Sequence, residues 1–158
     1  MFTGIIQEVG IIKLVQKKGD GLKIRVGAPN TSNSLKKGGS VAINGACQTA
    51  VTIDRDWFEV FATSETAKRT SFQYYQSGSH VNLELPLTLN DPLGGHLVAG
   101  HVDDTGRIIS IEPGLQSTIM RIAFKPEYFK YVIEKGSIAI DGISLTAVSY
   151  THLTLPTN

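Results

Sequence analysis

The chain has 158 residues, a formal net charge of +1, 18% charged residues and 16 glycines. That composition suits a compact, turn-rich β protein and excludes a disordered tail, a global field for nucleic acid or anionic membrane, and a membrane-spanning apolar run. The single Cys47 excludes an internal disulfide and a multi-cysteine zinc site. Met1-Phe2-Thr3-Gly4 has no basic segment or cleavage site of a secretory leader, so a cytoplasmic protein is expected. In chain order the predicted elements are short. Val41-Ala42-Ile43 is a strand running into Asn44-Gly45, a pair that tolerates positive φ in a tight turn. Trp57 to Phe61 is an aromatic, β-prone run, and Ser64 to Arg69 reads as a short capped helix. Val81 to Leu85 alternates apolar and polar, as a half-buried strand does. Pro126 to Glu134 predicts a helix, with Tyr128, Phe129, Val132 and Ile133 on one face and Gly136 ending it. Asp141-Gly142 repeats the turn chemistry.

The chain also repeats itself. GGSVAINGACQTAV, from Gly38, matches KGSIAIDGISLTAV, from Lys135, at an offset of 97, with Asn44/Asp141 and Cys47/Ser144 among the conservative pairs. Gly4-Ile5-Ile6 with Gly10 matches Gly100-His101-Val102 with Gly106 at an offset of 96, and Pro29 meets Pro126 at 97. A constant register over this span indicates duplication. The fold class that follows is all-β: two small homologous barrels in tandem, the second incomplete. The expected domains are residues 1–87, a linker at 88–96, and a partial second barrel at 97–148. Residues 149–158 have no counterpart in the first copy and are expected to be a non-native tail.

Some side chains can do chemistry. His96 and His101 are spaced for neither a helical metal pair nor a zinc cluster, which leaves a structural hydrogen bond or a proton-transfer role. Cys47 is a small buried hydrophobe or a thiol awaiting an activator. Its counterpart Ser144 suggests two related pockets lined by backbone N–H groups and a thiol or hydroxyl. Gly4 and Gly100, in register, permit close approach of backbone to a flat ligand. Lys135 is a helix-end charge or a ligand contact, and Glu65 and Thr66 either cap a helix or reach a pocket.

MFTGII, INGACQTAV, ATSET, VNLEL, GGHLVAGHVD and IDGISLTAV, in this order, resemble the α-type riboflavin synthases. The resemblance implies two tandem homologous six-stranded Greek-key β barrels and a cofactor-free dismutation of two 6,7-dimethyl-8-ribityllumazine molecules to riboflavin and 5-amino-6-(ribitylamino)uracil, by a homotrimer when full-length. It implies a first-barrel pocket of Gly4, Ile5 and Ile6, of Cys47, Gln48 and Thr49, and of Phe61, Ala62, Thr63, Ser64, Glu65 and Thr66. A second pocket would use Gly100, His101 and Val102, Lys135, and Ser144, Leu145 and Thr146. Cys47 is expected to polarise or add near the reacting carbon, His101 to transfer a proton, and Ser144 to support it by hydrogen bonding, with Ser40 a further candidate. Gln48 departs from the family's usual leucine. The competing readings are a non-catalytic lumazine- or flavin-binding relative resembling lumazine protein, and an inactive truncated fragment. None of these readings involves nucleic acid or a membrane.

Overall fold

The computed structural model describes residues 1–115 and 117–148. The first half is a closed antiparallel barrel of β1 (Glu8–Lys18), β2 (Gly21–Gly27), β3 (Ser40–Ile43), β4 (Ala46–Ile53), β5 (Trp57–Ala62) and β6 (His80–Glu84), in the order β1-β2-β5-β4-β3-β6. Period-two alternation sends Ile12, Ile24, Val26, Val41, Ile43, Phe58, Val60, Val81 and Leu83 into one sealed core, which Phe72 closes at one end. Burying each such side chain contributes about 1.5–3 kcal/mol, which makes this barrel the stable unit of the chain.

The helix predicted at Ser64 to Arg69 is present as α2 (Ser64–Arg69), and the Thr63 hydroxyl accepts the Thr66 N–H at its start. Another short helix, α1 (Pro29–Ser34), was not legible in the sequence. It has no local side-chain cap; the carboxylate of Glu8, on β1, accepts from Asn30 N–H and Thr31 N–H instead. A cap borrowed from another strand leaves no local signature.

The second half forms two hairpins. β7 (Arg107–Pro113) pairs with β8 (Thr118–Ala123), and β9 (Ser137–Ile140) pairs with β10 (Ile143–Thr146). The duplication is visible in detail. Ser40↔Thr49 and Ala42↔Cys47 recur as Ser137↔Thr146 and Ala139↔Ser144, and the bulge between Ile12 and Leu14 recurs between Ile108 and Ser110. The helix expected over Pro126 to Glu134 is corrected to a single 3-10 helix, Pro126–Tyr131. Val132 is extended, and no side chain caps the segment. Asp104, the counterpart of Glu8 and one methylene shorter, is held by the Lys125 ammonium rather than by helix N–H groups.

The two halves exchange their leading segments. Phe2 and Val98 trade backbone hydrogen bonds of 2.8 and 3.0 Å. The Asn44-Gly45 and Asp141-Gly142 turns meet face to face, close enough that a Cβ on either glycine would lie 2.7–2.8 Å from the other's backbone nitrogen. Asn82 of β6 also donates to the carbonyl of Asp141. The expectation of a foreign tail concerns residues 149–158, which lie outside the described residues.

Candidate functional site

The recorded pairing of β4 with β5 runs from Ile53↔Phe58 to Ala50↔Val60 and stops there. Beyond it the strands diverge, and the Cys47 N–H donates to the carbonyl of Gly100 at 2.7 Å. The 100–102 segment therefore takes up the edge of β4 that β5 leaves, and Val102 packs against the barrel core. Along these stretches Gln48 and Ala62 are buried, Cys47 is half-buried, and Thr49 and Phe61 are exposed. Alternation buries Gln48 inward and turns Cys47 and Thr49 outward, beside their β3 partners Ala42 and Ser40.

An equivalent arrangement occurs in the other half with the roles exchanged. Ser144 N–H donates to the carbonyl of Gly4 at 2.8 Å, as Cys47 does to Gly100. Each glycine sits at positive φ (77° at Gly4, 82° at Gly100), directly against the small side chain of the opposite half. A Cβ on Gly4 would lie 2.7 Å from Ser144 Cβ, and one on Gly100 2.7 Å from Cys47 Cβ. No other residue fits that approach. The resemblance groups Gly4, Ile5 and Ile6 with Cys47, and Gly100, His101 and Val102 with Ser144; in the structure Gly4 lies against Ser144 and Gly100 against Cys47.

The Ser144 hydroxyl also forms a 2.7 Å hydrogen bond with His96 Nδ1, whose backbone N–H donates to the carbonyl of Thr3. His101 is exposed and has no hydrogen-bond partner among the described residues. The histidine paired with Ser144 is thus His96, for which the residues left a proton-transfer role open, and not His101, to which the resemblance assigned it. Lys135 stands at φ 63° where the first half has Gly38 at φ 82°, and both donate their N–H to the alanine of the TAV triplet. A left-handed lysine costs about 1 kcal/mol.

A second residue missed in the sequence is Glu84. Its carboxylate is buried and accepts from Thr3 N–H, the Thr3 hydroxyl and Gly4 N–H, at 2.6, 2.6 and 3.0 Å. It moors the segment that carries Gly4 to Ser144. The available signal was a lone carboxylate in the alternating Val81 to Leu85 run with no local partner. Around the junction, burial pushes the Tyr75 phenol up to about 12, against the opposing effect of its Ser71 hydrogen bond. Burial also raises the Asp141 carboxyl.

Of the remaining candidates, Glu65 is engaged by Arg69 on the surface of α2. Ser40 lines a separate groove of about 430 Å³ between α1 and the end of β6, with Leu35, Lys36, Leu85 and Asp91. Among the described residues no three His, Cys, Asp or Glu side chains converge to hold a metal ion, and no helix is long and apolar enough to cross a membrane.

Comparison with known proteins fits this geometry. The family described as the lumazine binding domain matches the chain twice, at residues 3–86 and 99–156. Riboflavin synthase of Actinobacillus pleuropneumoniae is 45% identical over 148 residues, covering 94% of this chain and 69% of the relative. Riboflavin synthase of Bacillus subtilis is 37% identical, covering 98% of this chain and 72% of the relative. The crystal structure of LumP complexed with 6,7-dimethyl-8-(1'-D-ribityl) lumazine superimposes with a TM-score of 0.84 at 25% identity, over 96% of this chain and 82% of that one. The complex of LumP with riboflavin gives 0.85, over 92% and 79%.

Proposed function

This chain belongs to the riboflavin synthase family, and we propose that it catalyses the dismutation of two 6,7-dimethyl-8-ribityllumazine molecules to riboflavin and 5-amino-6-(ribitylamino)uracil. The observation that carries the proposal is the crossed pair of glycine contacts, which gives Cys47 and Ser144 equivalent surroundings on one duplicated scaffold, and each is taken as part of one of two related clefts. A reaction between two identical flat molecules needs two such clefts. One presents the donor of a four-carbon unit and the other its acceptor. Both face each other when the first half of one copy meets the second half of another, so the working unit is read as a homotrimer in the cytoplasm.

Catalysis is then mainly orientation. Holding two heterocycles in reacting geometry supplies a large effective molarity. The 7-methyl protons of the lumazine are acidic because the ring system delocalises the carbanion, so a modest base suffices. In the second cleft the Ser144 hydroxyl takes up the proton as it passes its own to His96, the base to which it is hydrogen-bonded. In the first cleft Cys47 polarises or adds to the acceptor, and His101, next to the glycine that holds Cys47, moves the proton there. Backbone groups of β4 beyond its pairing with β5, other than the Cys47 N–H that Gly100 already engages, read the ring edges, and Lys135 contacts the second ligand.

Incubating the purified chain with the lumazine and following riboflavin fluorescence tests the proposal. Riboflavin should form without added cofactor, Cys47→Ala should lower turnover about tenfold or more, and His96→Ala should shift the pH profile. The likeness to LumP favours a second reading, in which the clefts bind the lumazine or a flavin without turnover. Tight binding with no riboflavin formed would select it over the enzymatic reading.

A further inference from the structure

The stretch of β4 beyond its pairing with β5 leaves two backbone groups of Cys47 to be satisfied. Ala50 donates its N–H to the carbonyl of Gly39 and accepts from the Gly38 N–H, so its backbone groups face the β3 side. Alternation along the strand turns both backbone groups of Cys47 to the opposite edge, the one that β5 leaves. The Cys47 N–H meets the Gly100 carbonyl there at 2.7 Å. The Cys47 carbonyl is met by the next residue: the side-chain amide of Gln48 donates to it at 2.6 Å. Gln48 is only 8% exposed, on the inward face between the buried Ala46 and Ala50 and across from the buried Val41. An apolar side chain at that place would bury no polar group. Its counterpart Leu145, paired with Ile138 as Gln48 is with Val41, has no donor to give to the Ser144 carbonyl.

We propose that Gln48 is a specificity-determining residue of the first cleft, a built-in competitor that occupies the Cys47 carbonyl until the N–H of a ligand displaces it. The inference rests on the reading of that cleft as a lumazine site. A lumazine or flavin ring presents one N–H between two carbonyls, and a strand-edge carbonyl is a fitting acceptor for it. In the first cleft the ligand exchanges a hydrogen bond already made for a new one, and the displaced amide has to find another partner. Leucine at the same register imposes no such exchange on the second cleft. One side chain thereby makes the two clefts of a duplicated scaffold unequal, and it weakens the one that holds the thiol. Competition from one neutral hydrogen bond corresponds to about a three- to tenfold change in dissociation constant.

The test is a titration of the intact chain with riboflavin, followed by the flavin's own fluorescence, in the parent, in Gln48→Leu and in Gln48→Met. Both substitutions suit the apolar surroundings and differ from glutamine in lacking the donor. Each variant should bind riboflavin about three- to tenfold more tightly than the parent. In the parent, the side-chain amide protons of Gln48 should exchange slowly with water in the ligand-free chain and about tenfold or more faster at riboflavin saturation. A packing role alone would not move that exchange with ligand. Unchanged or weaker binding by both variants overturns the inference, and so does a Gln48 amide whose exchange is the same with and without riboflavin. Absence of riboflavin binding in the parent and in both variants overturns the reading of the cleft itself, and this inference with it, so the two failures are told apart.

Discussion

The two halves share one local code and end in different states. Both build the same hairpin with an Asx-Gly turn at φ 45–46° on the first turn residue, and both place the same bulge one-third of the way along their longest hairpin. One half nevertheless closes into a barrel, while the other is two separate ladders among the described residues. The comparison shows that hairpin register is a property of a dozen contiguous residues. Closure is not, because it requires a strand to pair on both edges with partners far away in the chain. What the second half contributes instead is contact with the first, through Gly100, Val98, Ser144 and Gly142.

Equivalent substitutions in the two halves break the comparison open, and the largest contrast is in the core. Ile24→Ala should cost about 3 kcal/mol by urea denaturation, because it leaves a cavity in a sealed interior. Met120→Ala, at the matching position, should cost less than about 1 kcal/mol. A similar cost for both would mean that the second half is as closed as the first. Glu84→Ala follows at about 2–3 kcal/mol, since three donors on Thr3 and Gly4 lose their acceptor. Amide exchange should show the first four residues released while β1 and β2 stay protected.

The glycine pair sharpens the contrast. Gly100→Ala would drive a methyl into Cys47 and the buried Phe2 ring, a loss of about 2 kcal/mol in thermal unfolding. Gly4→Ala strikes the backbone of Ser144 and should show chiefly as faster exchange in β9 and β10, with a smaller loss of overall stability. The smallest effect is electrostatic. Burial by itself would raise the Glu59 carboxyl, but its ion pairs with Lys23 and Arg25 outweigh that and hold it below the ordinary value. A depressed carboxylate contributes stability above its unfolded pKa and loses it as pH falls through the folded one. Glu59→Gln should therefore cost about 1 kcal/mol near neutrality and flatten the acid side of the stability–pH curve, leaving its neutral side parallel to the parent.

The sequence by itself determined the all-β class, the duplication and its offset, the two Asx-Gly turns and helix α2, because each is written in contiguous residues or in a repeated pattern. It also marked Gly4, Cys47, Gly100 and Ser144 as special through their register. Only the tertiary structure decided who meets whom. Helix α1 depends on a carboxylate from β1, and the expected helix after Pro126 tightens to 3-10 for want of one. The mooring of Gly4 by Glu84, the choice of His96 over His101 for Ser144, and the crossing of each glycine to the opposite half are contacts between distant residues. Periodicity states which face a side chain presents, but not which part of the chain will cover it, and in a duplicated fold the covering surface comes from the other copy.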